Sequence, residues 1–279
     1  QRPQTEKTTL KQSTRRAALK LFGIGTVAVA GLGLTGCNGL GEGTGGGAQK
    51  SSEPMPASRA FAQASVWLEY NSPKDGIGKD VSIYRFLFFD GKGNVTTYLP
   101  ADARFRDLKG LSGEEIVKFA TKQDKARFEA EKKHAIENAN EDVENYQNLD
   151  SSFAETLELA KQVLAFEEAA QYSKPKAHPY TLELETDESG NSTASEKLRF
   201  KARSFVCSDI TAYNVMENNV EIPKSAIETY DDDIELGSAT TATVYNTTFA
   251  GYAGLVTVVN EGFSGFTWDT PDTEGIEVD

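Results

Sequence analysis

The chain has 279 residues, with 42 acidic side chains against 29 basic ones and a net charge of −13. That balance excludes nucleic acid as a natural partner, because binding to phosphate backbones needs clustered Lys and Arg; its ordinary consequence is solubility. Two cysteines and two histidines leave little material for a disulfide framework or a zinc centre.

The first 37 residues read as an address and an anchor. Arg2, Lys7, Lys11, Arg15, Arg16 and Lys20 stand against the single acid Glu6, and an apolar run follows over residues 21–34. That run is too short for a membrane span, which takes about 20 apolar residues, and Gly23, Gly25, Gly31 and Gly33 weaken it further. A basic start followed by a short apolar run predicts a secretory signal. Within it, Thr14-Arg15-Arg16-Ala17-Ala18-Leu19-Lys20 resembles the twin-arginine export motif, with Ala18 where Phe is commonest. Leu34-Thr35-Gly36-Cys37 resembles a bacterial lipobox. The resemblance implies a signal peptide over residues 1–36, cleavage before Cys37 and a diacylglyceryl group on its sulfur. The protein would then be held to the outer face of the cell membrane through that lipid. It covers the signal region alone. Removing residues 1–36 takes away six basic residues and one acid, leaving a net charge of about −18. With Cys37 lipidated, Cys207 has no partner for an intramolecular disulfide, which suits a domain exported already folded from a reducing compartment.

Residues 37–58 are rich in Gly, Ser and Pro and read as a tether, since they bury too little apolar surface to offset their ordering entropy. A single domain is expected over residues 59–279. Residues 65–70, 83–89 and 95–99 have strand composition. Asp90-Gly91-Lys92-Gly93-Asn94 between the last two predicts a hairpin. It is not an EF-hand loop, because Lys92 and Val95 occupy positions that need an oxygen ligand and a glycine. Ser112-Gly113-Glu114-Glu115 has the pattern of a capping box, and no proline or further glycine follows before Asn148. Apolar residues then recur at spacings of three and four. Ser152-Phe153-Ala154-Glu155 predicts a second box and a returning helix that Pro175 ends. The expectation is an antiparallel helical hairpin over residues 112–172. Residues 122–134 are almost wholly charged, so the hairpin is expected to pack only at its base, with a solvated middle. Strands return at residues 180–186, 198–206, 240–245 and 255–259, with a polar turn at residues 187–191. Strands, then helices, then strands indicate an α+β fold, mainly antiparallel, with the long helical hairpin inserted.

Candidate chemistry is thin. His134 lies in the charged helix and His178 in a loop, and neither has a Cys or carboxylate at ligand spacing, so no metal or cofactor site is expected. Cys207, in the apolar run Ser204-Phe205-Val206-Cys207, is expected to be a buried small hydrophobe. Asp231-Asp232-Asp233, flanked by Glu228 and Glu235, is the densest acidic cluster; it reads as a solvated acidic turn, with a cation site as the alternative. Gly262-Phe263-Ser264-Gly265-Phe266 lacks the last glycine of a nucleophile elbow, and no catalytic residue is assigned. The run Phe249-Ala250-Gly251-Tyr252-Ala253-Gly254, with Phe263, Phe266 and Trp268, reads as core and tight turns, with a stacking surface as the alternative. These features favour a membrane-anchored binding or interaction module with a protein or cell-wall partner. An envelope hydrolase acting on glycan or peptide, and an accessory subunit docking through the hairpin, are the competing readings.

Overall fold

A computed structural model of the chain describes residues 53–71, 76–207, 210–218 and 220–278, which fall within one compact unit. Arg15, Arg16 and the lipobox Leu34, Thr35, Gly36 and Cys37 lie outside the described residues. No helix among those described is long and apolar enough to cross a membrane.

The fold is α+β with mainly antiparallel sheets. After a short strand β1 (Met55–Pro56) and helix α1 (Ala57–Phe61), the chain forms β2 (Ala64–Tyr70), β3 (Ile83–Asp90) and β4 (Asn94–Tyr98). The helical hairpin α2 (Gly113–Gln147) and α3 (Ala154–Ala169) follows, then β5 (His178–Pro179), β6 (Thr181–Thr186) and β7 (Thr193–Phe205). Helix α4 (Ala212–Glu217) leads to β8 (Ile227–Glu235), β9 (Ala239–Val244), β10 (Thr247–Tyr252), β11 (Leu255–Val259), β12 (Phe266–Thr267) and β13 (Glu277–Val278). The larger sheet has the order β5-β4-β3-β2-β11-β10-β9 and the smaller one β13-β6-β7-β8. The hairpin is thus inserted between β4 and β5, which are themselves neighbours.

Side-chain alternation divides the larger sheet into two apolar faces. Trp67, Leu87, Phe89 and Leu255 meet Leu182, Leu198, Phe200 and Ala202 of the smaller sheet in one core. Val66, Leu68, Phe86, Phe249 and Val256 meet Ile116 and Ala120 of α2, with Phe105 and Leu108 from a 3₁₀ turn, in the other. Phe249, Tyr252 and Phe266 are buried in these layers, so the glycine-spaced aromatic run is core. Gly251 is part of that packing: a Cβ there would lie 2.8 Å from Val256 Cα and 3.0 Å from the Trp67 ring.

Three local expectations need correcting. The ordered fold begins before residue 59: Met55 and Ala57 are buried, β1 pairs in parallel with β12, and the Asp269 carboxylate accepts hydrogen bonds from Ser58 N–H and Ser58 Oγ, both at 2.6 Å. Backbone pairing and a buried carboxylate thus hold what composition marks as tether. At the second helix, Asp150 and not Ser152 accepts the turn's backbone N–H, and Phe153 at the N-cap of α3 makes no side-chain cap bond. The hairpin does not pack only at its base either: most of residues 122–134 are open to solvent as expected, but one face of this stretch is buried. Asp124 is 0% exposed and Phe128 is 1% exposed, because α2 runs past the larger sheet and seats this stretch on the end of β7 beside Phe205 and Cys207. Among the described residues, the large apolar side chains of the hairpin are exposed only at its far end, where Leu149 and Phe153 are open to solvent and Tyr146 stacks on Phe153 at 6.4 Å. The first capping box is as expected: Glu115 N–H donates to Ser112 Oγ, and Ser112 N–H donates to the Glu115 carboxylate.

Candidate functional site

Strand β7 carries Lys197, Arg199, Lys201 and Arg203 at alternate positions, so all four lie on one face of the smaller sheet. Its other face carries Glu196, Leu198, Phe200 and Ala202 into the core. Opposite the basic positions on β8 stand Glu235, Asp233, Asp231 and Thr229. Each member of the basic row has a carboxylate partner. Lys197 pairs with Glu185, Arg199 with Glu183, and Lys201 with Asp231 at 2.6 Å. Arg203, the last, turns inward.

Arg203 is 4% exposed. Its Nη1 donates to Asp124 Oδ2 at 3.0 Å and its Nη2 to the Ser173 carbonyl at 2.9 Å. Its guanidinium lies over the Tyr172 and Phe205 rings, and its Nε has no hydrogen-bond partner. Asp124 is satisfied in turn: Leu99 N–H donates to Oδ1 at 2.8 Å and the Tyr172 hydroxyl to Oδ2 at 2.9 Å. Burial raises the Asp124 carboxyl above its usual range, against the pull of the Leu99 N–H and Arg203. Burial and the neighbouring Asp124 together raise the Tyr172 phenol. This network pins α2 to β7 and holds residues 172–176 across the basic face.

That crossing segment borders a half-open cavity of about 320 Å³. Lys174, Lys176, His178, Lys201 and Arg203 converge on it. Thr97, Ser173, Ser225 and Thr229 supply hydroxyls, and Pro175 and Ile227 supply apolar wall. Among the described residues no acidic side chain lines it. Lys174 and Lys176 are exposed and have no ion-pair partner among the described residues. A second cavity of about 510 Å³ shares His178 and Lys201 with the first and continues past Arg199 toward Asp231, Asp232 and Asp233. A larger one of about 740 Å³ lies by Ser112 and Glu115, whose polar atoms are engaged in the helix cap.

The acidic triplet is strand, not turn. Asp231 faces Lys201, Asp232 reaches through to Arg85 of β3 at 2.8 Å, and alternation separates them onto opposite faces. Among the described residues no group of three or more His, Cys, Asp or Glu is placed to hold a metal. Cys207 is fully buried, as expected, and burial pushes its thiol up to about 12. Burial also raises the neighbouring Glu167 carboxyl to about 7. His134 is exposed on α2 beside Asn138. His178, expected in a loop, sits at the edge strand β5 and lines the cavity. A close pairing of buried carboxylates, Glu196 and Asp269, is tied into backbone: Asp269 N–H donates to Glu196 at 2.9 Å, and no cavity described above is lined by either.

The basic site was missed in the sequence, although its signal was there. Arg199, Lys201 and Arg203 alternate in a stretch read as strand, with Lys197 just before it, and Lys174-Pro175-Lys176 follows α3. Compared with protein-family models, curated proteins and solved structures, the chain has no significant match.

Proposed function

We propose that this protein is a lipid-anchored module of the bacterial envelope that binds a small anionic ligand in the cavity under residues 173–178. The single observation that carries the reading is the convergence of four cationic side chains and an imidazole on one cavity, in a molecule of net charge −13. Low-dielectric walls focus such a local field, while the acidic remainder repels extended polyanions. The twin-arginine motif at Arg15 and Arg16 and the lipobox ending in Cys37 supply export and anchorage, and residues 38–52 the reach.

Two experiments test it. Calorimetric titration of the full chain with small organic anions and neutral analogues is expected to give binding for anions alone, weakening at high salt and lost in Lys174→Ala/Lys176→Ala. Equal binding of neutral compounds, or an unchanged affinity in the double variant, would refute the site. In bacteria, Cys37→Ala is expected to release the protein from the membrane, and Arg15→Lys with Arg16→Lys to block export; continued membrane retention of the first variant would remove the anchor from the proposal. The exposed Leu149 and Phe153 at the hairpin tip favour, as a second reading, docking of an envelope partner there. Deleting that tip should then abolish partner capture while leaving anion binding intact.

A further inference from the structure

The ligand's chemistry can be narrowed, on the reading that the cavity binds an anion. Of the four cations that line it, Arg203 is held by Asp124 and Lys201 by Asp231. Lys174 and Lys176 have no counter-charge among the described residues, so the cavity carries two uncompensated positive charges. Donors are also more numerous than a carboxylate can use. Besides the ammonium groups there are the hydroxyls of Thr97, Ser173 and Thr229. A carboxylate brings one charge and two oxygens, whereas a phosphomonoester brings close to two charges and three terminal oxygens. A volume of about 320 Å³ with Pro175 and Ile227 in its wall leaves room for an organic body beyond the anionic group.

We infer that the cavity is a phosphoryl-binding site, taking the dianionic phosphomonoester end of a small organic molecule: Lys174 and Lys176 match its charge, and the hydroxyls of Thr97, Ser173 and Thr229 match its oxygens. The Arg203 guanidinium is a pre-ordered part of the wall, fixed by Asp124 and Ser173, whereas the two exposed lysines become ordered on binding. The same phosphomonoester group occurs on free sugar phosphates and, among glycerophospholipids, on phosphatidic acid. The net negative surface favours the free ester over an anionic bilayer.

The test compares shape-matched ions on the full chain: phenyl phosphate, phenyl sulfate and benzoate, followed by glucose 6-phosphate, glycerol 3-phosphate and vesicles containing phosphatidic acid. Phenyl phosphate is expected to bind at least tenfold more tightly than the sulfate or benzoate. Lys174→Ala/Lys176→Ala should remove that preference without moving the ligand-free melting temperature, because both side chains are exposed and unpaired. Binding of glucose 6-phosphate or glycerol 3-phosphate in preference to vesicles containing phosphatidic acid supports a free ester, and the reverse preference overturns that choice of source. If sulfate and benzoate bind as tightly as phosphate, the phosphoryl assignment falls while anion binding stands. If none binds, both fall.

Discussion

Two carboxylates are removed from water against opposite faces of β7, and they meet different fates. Asp124, reaching in from α2, receives a guanidinium, a phenol and a backbone N–H. Glu196, on the strand itself, receives one backbone N–H from Asp269; its Oε1 has no hydrogen-bond partner. Both are 0% exposed. Burial raises both, but Glu196 is carried to about 8, with the adjacent Asp269 charge pushing the same way and no cation to oppose it. Asp124 therefore serves as a charged pin under the basic cavity. Glu196 is a neutral acid at the seam between β7, α1 and the last strands. The comparison teaches that a compensated buried charge organises a site, whereas an uncompensated one makes the fold responsive to protons.

The largest effect should come from breaking the compensated pair. Arg203→Met leaves Asp124 buried without its cation, which costs about 3–5 kcal/mol, or roughly 10 °C in melting temperature for a chain of this size. Adding Asp124→Asn should recover part of the loss. A single variant that melts like the parent would show that the pin contributes nothing.

The uncompensated acid should appear as pH dependence. Glu196 has a folded pKa above its unfolded one, so its contribution is fully present below about 4.5 and is lost as pH rises through about 8. Glu167 acts in the same direction, with its loss complete near 7. Each pKa unit corresponds to about 1.4 kcal/mol, so thermal stability should fall by an amount on the order of a few kcal/mol between pH 5 and pH 8. Glu196→Gln should flatten the upper part of that fall. A slope that survives in this variant and disappears in Glu167→Gln would assign the response to the other acid.

Smaller effects mark the ground between these regions. Cys207 lies against Glu167 in a closed core, so a thiol reagent should label the native protein slowly; stoichiometric labelling within seconds would mean that this core opens freely. Ser112→Ala, at the start of α2 and away from both carboxylates, should cost about 1 kcal/mol by removing a helix cap. That loss should be equal at pH 5 and pH 8, which provides a baseline for the Glu196 measurement.

Local rules determined much of this protein from sequence alone. The hairpin turn at Asp90–Asn94, the cap at Ser112, the extent of α2 and the α+β class all follow from residues close together in the chain. Turn geometry, capping and periodicity act over a few positions and need no knowledge of distant partners. The twin-arginine and lipobox readings rest on spacing of the same kind. Tertiary structure decided the rest. Asp124 and Phe128 read as part of a solvated charged helix until β7 supplies Arg203 and Phe205, 79 and 77 positions further on. Met55 reads as linker until the backbone of Phe266 pairs with it, and Asp231-Asp232-Asp233 reads as a turn until a row of basic residues on β7 makes a strand of it. Burial and ion pairing are properties of pairs, and each of these pairs joins residues far apart in the chain. The basic cavity is built in the same way, from β4, the segment after α3, β7 and the approach to β8, so no single stretch of the sequence contains it.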